Sequence, residues 1–356
     1  MKWSARNSAD TISEGVMCIA LMPDGTVMRQ HFETGALADC RGLVDKANVA
    51  WVNIALSEMV RSKDVAEVMG FTKDLVISLL EEHTAEYEDR EIEMGVQVPA
   101  VRVHGFDVRI YPLLVLVRRN LVLSIHPLEV VRFLHFSRYA EGFMRKFKKG
   151  ETVTDRATSL LIRILDENNE RNFDGLRSIQ SKGEQLSELP MSSQSAITTF
   201  ASEIHRMKMA IFDYLEALWG SLDVMNSLRH GDADAISDDP KLLQRIGMLV
   251  DDIRSQIGLT EHVGEVLASG HEVLQTIYNN QLQQLNNKLA LLATWLAIIA
   301  TAIAVPNTLA TIFGIASISD LFPWQVTAFL VVMSTIISAY ITYLVLKAKG
   351  WFAREM

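Results

Sequence analysis

The apolar positions of this chain change their pattern three times. Near the N-terminus they come in short blocks. "GVMCIAL" and "TVMR" flank the turn "MPDG", which predicts a β-hairpin. "VAWVNIAL" (49–56) predicts a short buried strand, and "YPLLVLVRRNLVLSIHP" predicts two strands about the turn "RRN". Between them, "DVAEVMGFTKDLVISLLEEH" carries apolar residues at helical spacing, interrupted at its Gly. Residues 1–150 are therefore expected to be an α/β domain with some antiparallel pairing.

After Gly150 the period becomes that of a helix. "TDRATSLLIRILDENNERNFDGLRSIQSKGEQLSEL" opens on a Thr/Asp cap and is expected to end at Pro190. A second helix is expected from Ser195 to Arg229, succeeded by the turn "HGDADAISDDP". Residues 151–240 form this helical region. Residues 241–288 read as a stalk helix with weak points at Gly258, Gly264 and Gly270, running without Pro into the apolar stretch beyond Lys288. A continuous helix from Leu259 to Ile312 would be about 80 Å long, which calls for packing partners, most simply copies of itself.

The third pattern is unbroken hydrocarbon. No Asp, Glu, Lys, Arg or His occurs from Leu289 to Ser319, nor from Trp324 to Leu346. A bilayer requires about 20 apolar residues in a helix, so spans are expected at 289–313 and 324–347. An external loop at 314–323 joins them, and a basic tail ends the chain at 348–356. Lys288 precedes the first span, Lys347, Lys349 and Arg354 come after the second, and the loop carries only Asp320. The positive-inside rule puts both termini in the cytoplasm of a cell whose plasma or inner membrane holds the protein. The polar start "MKWSARNSADTISEG" gives no expectation of a signal peptide.

Composition adds exclusions. The net charge of −9 argues against nucleic acid as a partner and suits cations. Two cysteines, Cys18 and Cys40, suit a reducing compartment rather than a disulfide framework. No P-loop, dinucleotide-binding turn, nucleophile elbow or metalloprotease motif occurs, so no enzyme is expected and no cofactor beyond a divalent cation.

Asn287, Thr294, Thr301 and Thr308 recur every seven residues, with Leu291, Ile298 and Val305 between them. Seven residues return to nearly the same helix face. A polar seam in a symmetric oligomer becomes stacked rings, which can line a pore. Each Thr could instead satisfy its hydroxyl on its own helix. Further on, "VPNTLATIFG" places Asn307, Thr308, Thr311 and Gly314 at membrane depth, where polar groups are tolerated if they face water. Two carboxylate groupings could hold a hard cation: the run Glu81–Glu93 and the pair Asp251/Asp252. Either could equally be solvated surface.

In this order the elements resemble the CorA family of divalent-cation (magnesium/cobalt) transporters, along nearly the full chain. "LVLVRRNLVLSIHP", "HRMKMAIFDYLEALWGSLDVMNSLRHGD" and "YNNQLQQLNNKLALLAT" carry the local likeness. The resemblance implies an α+β membrane protein. Its cytoplasmic α/β domain would lead to a long stalk helix running into the first of two C-terminal transmembrane helices, in a homopentameric funnel. It implies a channel for divalent metal ions, most simply Mg2+, with Co2+ or Ni2+ as further cargo, and itself, the lipid bilayer and the ion as partners. Rival readings are a zinc or other transition-metal carrier and a non-conducting scaffold of the same fold. The family's filter, Gly-Met-Asn, is replaced by Gly314-Ile315-Ala316, so the amide that would contact a hydrated ion is missing, with Asn307 as the nearest substitute. Phe313 before the Gly and Pro306 earlier in the span fit the family. The resemblance also implies a regulatory cation between Asp251 or Asp252 of one subunit's stalk and Asp107, or the Glu81–Glu93 run, of the next.

Overall fold

The computed structural model of the 356-residue chain describes residues 14–81, 85–148, 150–187, 194–230, 233–315 and 322–348. The chain divides into two compact units, Met1–His271 and Glu272–Met356.

The first unit is built on a seven-stranded sheet. Its strands are β1 (Gly15–Leu21), β2 (Val27–Phe32), β3 (Val49–Leu56), β4 (Glu86–Asp89), β5 (Met94–His104), β6 (Asp107–Arg118) and β7 (Leu121–Pro127), in the order β2-β1-β3-β7-β6-β5-β4. Only β3 and β7 are parallel. The β1–β2 hairpin closes on Gly25, whose φ of +88° suits a residue without Cβ. Asp24 accepts from the Thr26 amide at 2.9 Å and fixes the same turn. β3 is apolar throughout apart from Asn53 and almost wholly buried, as a strand covered on both faces should be.

Three short helices, α1 (Leu37–Val44), α2 (Ser62–Val68) and α3 (Lys73–Leu80), cover one face of the sheet. Cys18, Val52, Ile54, Leu116 and Leu123 of the strands meet Cys40, Val65, Leu75 and Leu79 of the helices in one core. The expected interruption within 64–83 is Gly70, at φ +98°, which separates α2 from α3. The other face carries α4 (Phe133–Met144), α5 (Val153–Ser187) and α6 (Gln194–Arg229). There Trp51 meets Phe133 edge-on and Phe136 at a tilt, and its indole N–H donates to Ser124 at 2.9 Å. The result is three layers, helix–sheet–helix.

The α5 cap differs from the expected one. The Thr152 hydroxyl accepts from the Asp155 amide at 3.0 Å, while the Asp155 carboxylate accepts from the Thr152 amide at 2.9 Å. This reciprocal pair puts the cap at Thr152 rather than Thr154, and the helix starts at Val153. Pro190, read as the end of that helix, lies outside the described residues.

Helix α7 (Pro240–Phe313) contributes to both units and is unbroken at Gly258, Gly264 and Gly270. A helical Gly costs about 1 kcal/mol, too little to interrupt a long helix. The second unit is otherwise α8 (Trp324–Ala348). The stretches Gln275–Phe313 and Trp324–Leu344 are long and apolar enough to cross a membrane, and almost none of either is buried within the protomer. Their exposed side chains, among them Leu292, Leu296, Ile303, Phe329, Val332 and Ile336, would be intolerable in water and are at home in lipid.

Candidate ion pathway

Every Thr of the first span uses its hydroxyl hydrogen on its own helix. Thr294, Thr301 and Thr308 donate to the carbonyls of Ala290, Ala297 and Ala304 at 2.8 Å each, and Thr311 donates to Asn307 at 2.7 Å. This makes each Thr inexpensive in an apolar setting. It also leaves the hydroxyl oxygen presenting only lone pairs outward, the polarity a cation or its water shell requires.

The seven-residue ladder is split by exposure. Asn287, Thr301 and Thr308 are exposed, whereas Leu291, Thr294 and Ile298 are half-buried within the protomer. The half-buried positions of the span continue at Ala302, Pro306, Leu309 and Phe313, three or four residues apart, so they form one stripe. Helix α8 has a matching half-buried stripe at Thr327, Val331, Ser334, Thr335 and Ser338. Residues seven apart drift by about 20° per step in a straight helix. The ladder therefore turns by about 60° between Asn287 and Thr308, and only part of it lies outside the half-buried stripe.

Away from that stripe runs a face of small and polar residues, of which the heptad spacing reveals only Thr301 and Thr308. Ala293, Ala297, Thr301, Ala304, Thr308 and Thr311 recur at three- and four-residue intervals and are all exposed in the protomer. Asn307 is exposed beside them. The signal that could have found this face is the spacing of the alanines, which matches a 3.6-residue period.

Pro306 lies inside the helix and has no N–H, so the Ala302 carbonyl lacks its usual partner. The helix ends at Phe313. The Gly314 amide bonds back to the carbonyls of Ala310 and Thr311 at 3.0 and 3.2 Å, and the Ile315 amide to that of Ile312 at 3.2 Å. The Phe313 ring sits edge-on to Phe322 at 6.2 Å. The carbonyl end of a helix carries partial negative charge. Gly314 and Ile315 lie at that end. Ala316 lies outside the described residues.

The expected regulatory carboxylates are surface groups. Asp107 pairs with Arg109 at 3.3 Å and Asp251 with Arg254 at 3.8 Å, while Asp252 is exposed. Among the described residues of the protomer no group of three or more His, Cys, Asp or Glu could hold a metal ion. Within the protomer, several carboxylates of the Glu81–Glu93 run have partners of their own. Its described residues Glu86–Asp89 form edge strand β4, Glu88 pairs with Arg90 at 2.6 Å, and buried Glu93 accepts from the Thr72 amide at 3.1 Å and faces Arg118 at 3.5 Å. These carboxylates are engaged by the sheet and its arginines rather than gathered as ligands. Residues 82–84 of the run lie outside the described residues.

A family model described as CorA-like Mg2+ transporter protein matches residues 46–348. No curated protein matches the chain by sequence. Among solved structures, the complete CorA magnesium transporter from Methanocaldococcus jannaschii matches with a TM-score of 0.67 and 16% identity, covering 96% of this chain and 99% of that one. The soluble domain of CorA from the same organism matches with a TM-score of 0.55 and 14% identity, over 72% of this chain and 95% of that one. The ZntB cytoplasmic domain from Vibrio parahaemolyticus reaches a TM-score of 0.47 at 11% identity, over 73% and 99%, too low to carry an argument. At these identities the likenesses establish the fold.

Proposed function

The chain belongs to the CorA-like Mg2+ transporter family, and from that premise we propose that it conducts Mg2+ through a central pore formed by the first span in a homopentamer. The single observation that carries this reading is the face Ala293–Ala297–Thr301–Ala304–Thr308–Thr311, exposed in the protomer and free of charge. Small residues let helices of neighbouring copies approach closely, and the Thr hydroxyl oxygens on this face present lone pairs that water or a hydrated ion can meet.

The chemistry depends on the hydroxyl hydrogens being engaged within the helix. Mg2+ gives up its waters reluctantly. Rings of Thr301, Thr308 and Thr311 oxygens would accept hydrogen bonds from those waters without stripping them. The Asn307 amide oxygen would do the same where the alanine of Gly314-Ile315-Ala316 cannot. Helix ends gathered at the outer mouth would attract cations through their carbonyls. Ions of similar charge and hydration, Co2+ and Ni2+, would compete. In this proposal Asn287, Thr301 and Thr308 keep their place along the pathway, and Leu291, Thr294 and Ile298 belong to the seam within each protomer. Both termini lie in the cytoplasm. A regulatory cation between Asp251 or Asp252 and a neighbouring subunit's Asp107 would turn carboxylate repulsion into a bridge.

Cysteine accessibility tests the pore face. Thr301→Cys and Thr308→Cys should react with a membrane-impermeant thiol reagent in assembled protein and lose transport, while Ile299→Cys, exposed on the opposite side of the helix, should not react. Cys18 and Cys40 are buried and give little background. Reaction at Ile299 with protection at Thr301 and Thr308 would reverse the assignment of faces.

A further inference from the structure

A cleft of about 440 Å3 opens beside the β5–β6 hairpin, far in sequence from the spans. Its walls are strand residues near Val101, Val103 and Tyr111, the segment Glu129–Arg132 after β7, and the Arg171–Ser178 stretch of α5. That volume lies in the range of small-molecule sites.

Arg132 forms its floor. One guanidinium nitrogen, Nη1, donates to the Asn168 carbonyl at 3.1 Å, the Asn168 side chain at 2.6 Å and the Asn172 side chain at 2.8 Å; Nη2 donates to the Val101 carbonyl at 2.6 Å. All four acceptors are neutral. Both Asn amides are pinned in turn by the Pro99 carbonyl at 3.0 Å, so the guanidinium has one orientation. Among the described residues Nε has no acceptor, and no carboxylate pairs with Arg132. Burial lowers its pKa to about 10, so it remains charged at neutral pH. A half-buried charge whose hydrogen bonds all go to neutral acceptors is costly, and an anion entering the cleft would offset that cost.

The rim supplies a second uncommitted cation. Arg171 is matched by Glu167 at 3.7 Å and Asp174 at 3.4 Å. Arg102 is exposed and has no ion pair among the described residues. The lining carries three arginines against Glu129 and Asp174, a surplus of positive charge. A dianion suits two uncommitted arginines better than a monocarboxylate does, and arginine is the side chain of choice for phosphate. Val131 and Tyr111, the latter on the same face of the hairpin as Arg102, offer an apolar surface next to them.

We propose that this cleft binds a small organic phosphate, with the phosphoryl group between Arg132 Nε and Arg102 and the organic part against Val131 and Tyr111. The proposal is independent of the pore reading, and its test uses no transport.

The test is calorimetric titration of the full-length protein in detergent at low ionic strength with adenosine monophosphate, inorganic phosphate and adenosine. The monophosphate should bind saturably, inorganic phosphate more weakly at the same site, and adenosine not at all. Arg102→Gln, a change at an exposed residue, should weaken binding about tenfold, the value of one charge-assisted hydrogen bond. Ser178→Trp, which fills the mouth from an exposed position of α5, should abolish it. Arg132 is left intact because it also holds Asn168 and Asn172. No saturable binding of either phosphate at several millimolar, or binding that both variants leave unchanged, would overturn the proposal. Phosphate bound more tightly than the nucleotide would overturn the role of the apolar wall.

Discussion

The Thr308 hydroxyl donates to the Ala304 carbonyl at 2.8 Å, one turn down the helix and across from Pro306. The bond fixes the side chain and turns only oxygen lone pairs away from the helix. Thr308→Val keeps the shape and removes the oxygen. On the proposed pathway this should lower Mg2+ flux several-fold while leaving the thermal midpoint within a few degrees. Thr294→Val makes the same chemical change at a half-buried position, and its flux should stay near wild type. Equal losses in both variants would place the two threonines in one role.

On the proposed pathway Ala316 takes the place of the Asn of a Gly-Met-Asn motif, and the outer mouth would lack that amide. Replacing Ala316 by Asn should sharpen preference for Mg2+ over Co2+ and Ni2+ in a competition flux assay. An unchanged ranking would locate selectivity elsewhere, with Asn307 the next residue to change.

Sequence patterning made half of this architecture legible. β3 lies at Val49–Leu56 as read, and the hairpin β1–β2 comes from Pro-Asp-Gly between apolar blocks. The spans come from length and absence of charge. The pair β4–β5 was not legible, for two physical reasons. Its edge strand is Glu86–Asp89, whose charges look like a solvated loop. Its long strand Met94–His104 carries Pro99, which normally argues against an interior strand. Pro99 is tolerated because it faces Pro112 of β6 and its carbonyl accepts from Asn168 and Asn172. The polar face of the first span was half legible. The heptad spacing found Thr301 and Thr308, but Leu291, Thr294 and Ile298 fall at the edge of the stripe half-buried within the protomer, which spacing alone does not show. The arginine-floored cleft was not legible at all, because Arg102, Arg132 and Arg171 converge only through the fold.

The "RRN" turn shows how much one side chain can hold. Arg119 sits at φ +49°, and the Asn120 amide donates to the carbonyls of Val44 and Ala47 at 2.9 and 2.8 Å, tying the turn to the end of α1. Asn120→Ala would leave the Ala47 carbonyl without its donor and the Val44 carbonyl with only the Ala47 amide, and should destabilise the first unit by about 1–3 kcal/mol, seen as a lower midpoint in denaturant. Arg119→Gly relieves the left-handed backbone and should be neutral or slightly stabilising.

His126 makes stability depend on pH. Burial lowers its pKa from 6.5 to about 4 in the folded protein, with nearby Arg132 adding to the effect. Its Nδ1 and Nε2 lie 2.8 Å from the Pro127 carbonyl and 3.2 Å from Asn53 Oδ1. Below pH 6.5 the unfolded chain takes up a proton that the folded chain refuses, so stability falls between pH 6.5 and about 4 and this contribution levels off below that. The span corresponds to about 3 kcal/mol. His126→Gln should flatten the thermal midpoint over this window relative to wild type; parallel curves would remove His126 as the cause.

Neutralising Asp251 and Asp252 together tests the regulatory bridge. Proteolysis of the wild-type soluble region should slow as Mg2+ is added, and the double Asn variant should need more Mg2+ for the same protection. Protection at an unchanged concentration would remove both residues from the sensor.

The central claim is conduction of a divalent cation along the Thr301–Thr308–Thr311 face. Its most direct measurement is Mg2+ influx into proteoliposomes containing the purified protein, with Co2+, Ni2+ and Zn2+ run in parallel. The account predicts Mg2+ influx well above empty vesicles, competition by Co2+ and Ni2+, and a several-fold loss in Thr308→Val. Influx no greater than that of empty vesicles for all four ions, from protein shown to be assembled and folded, would contradict it.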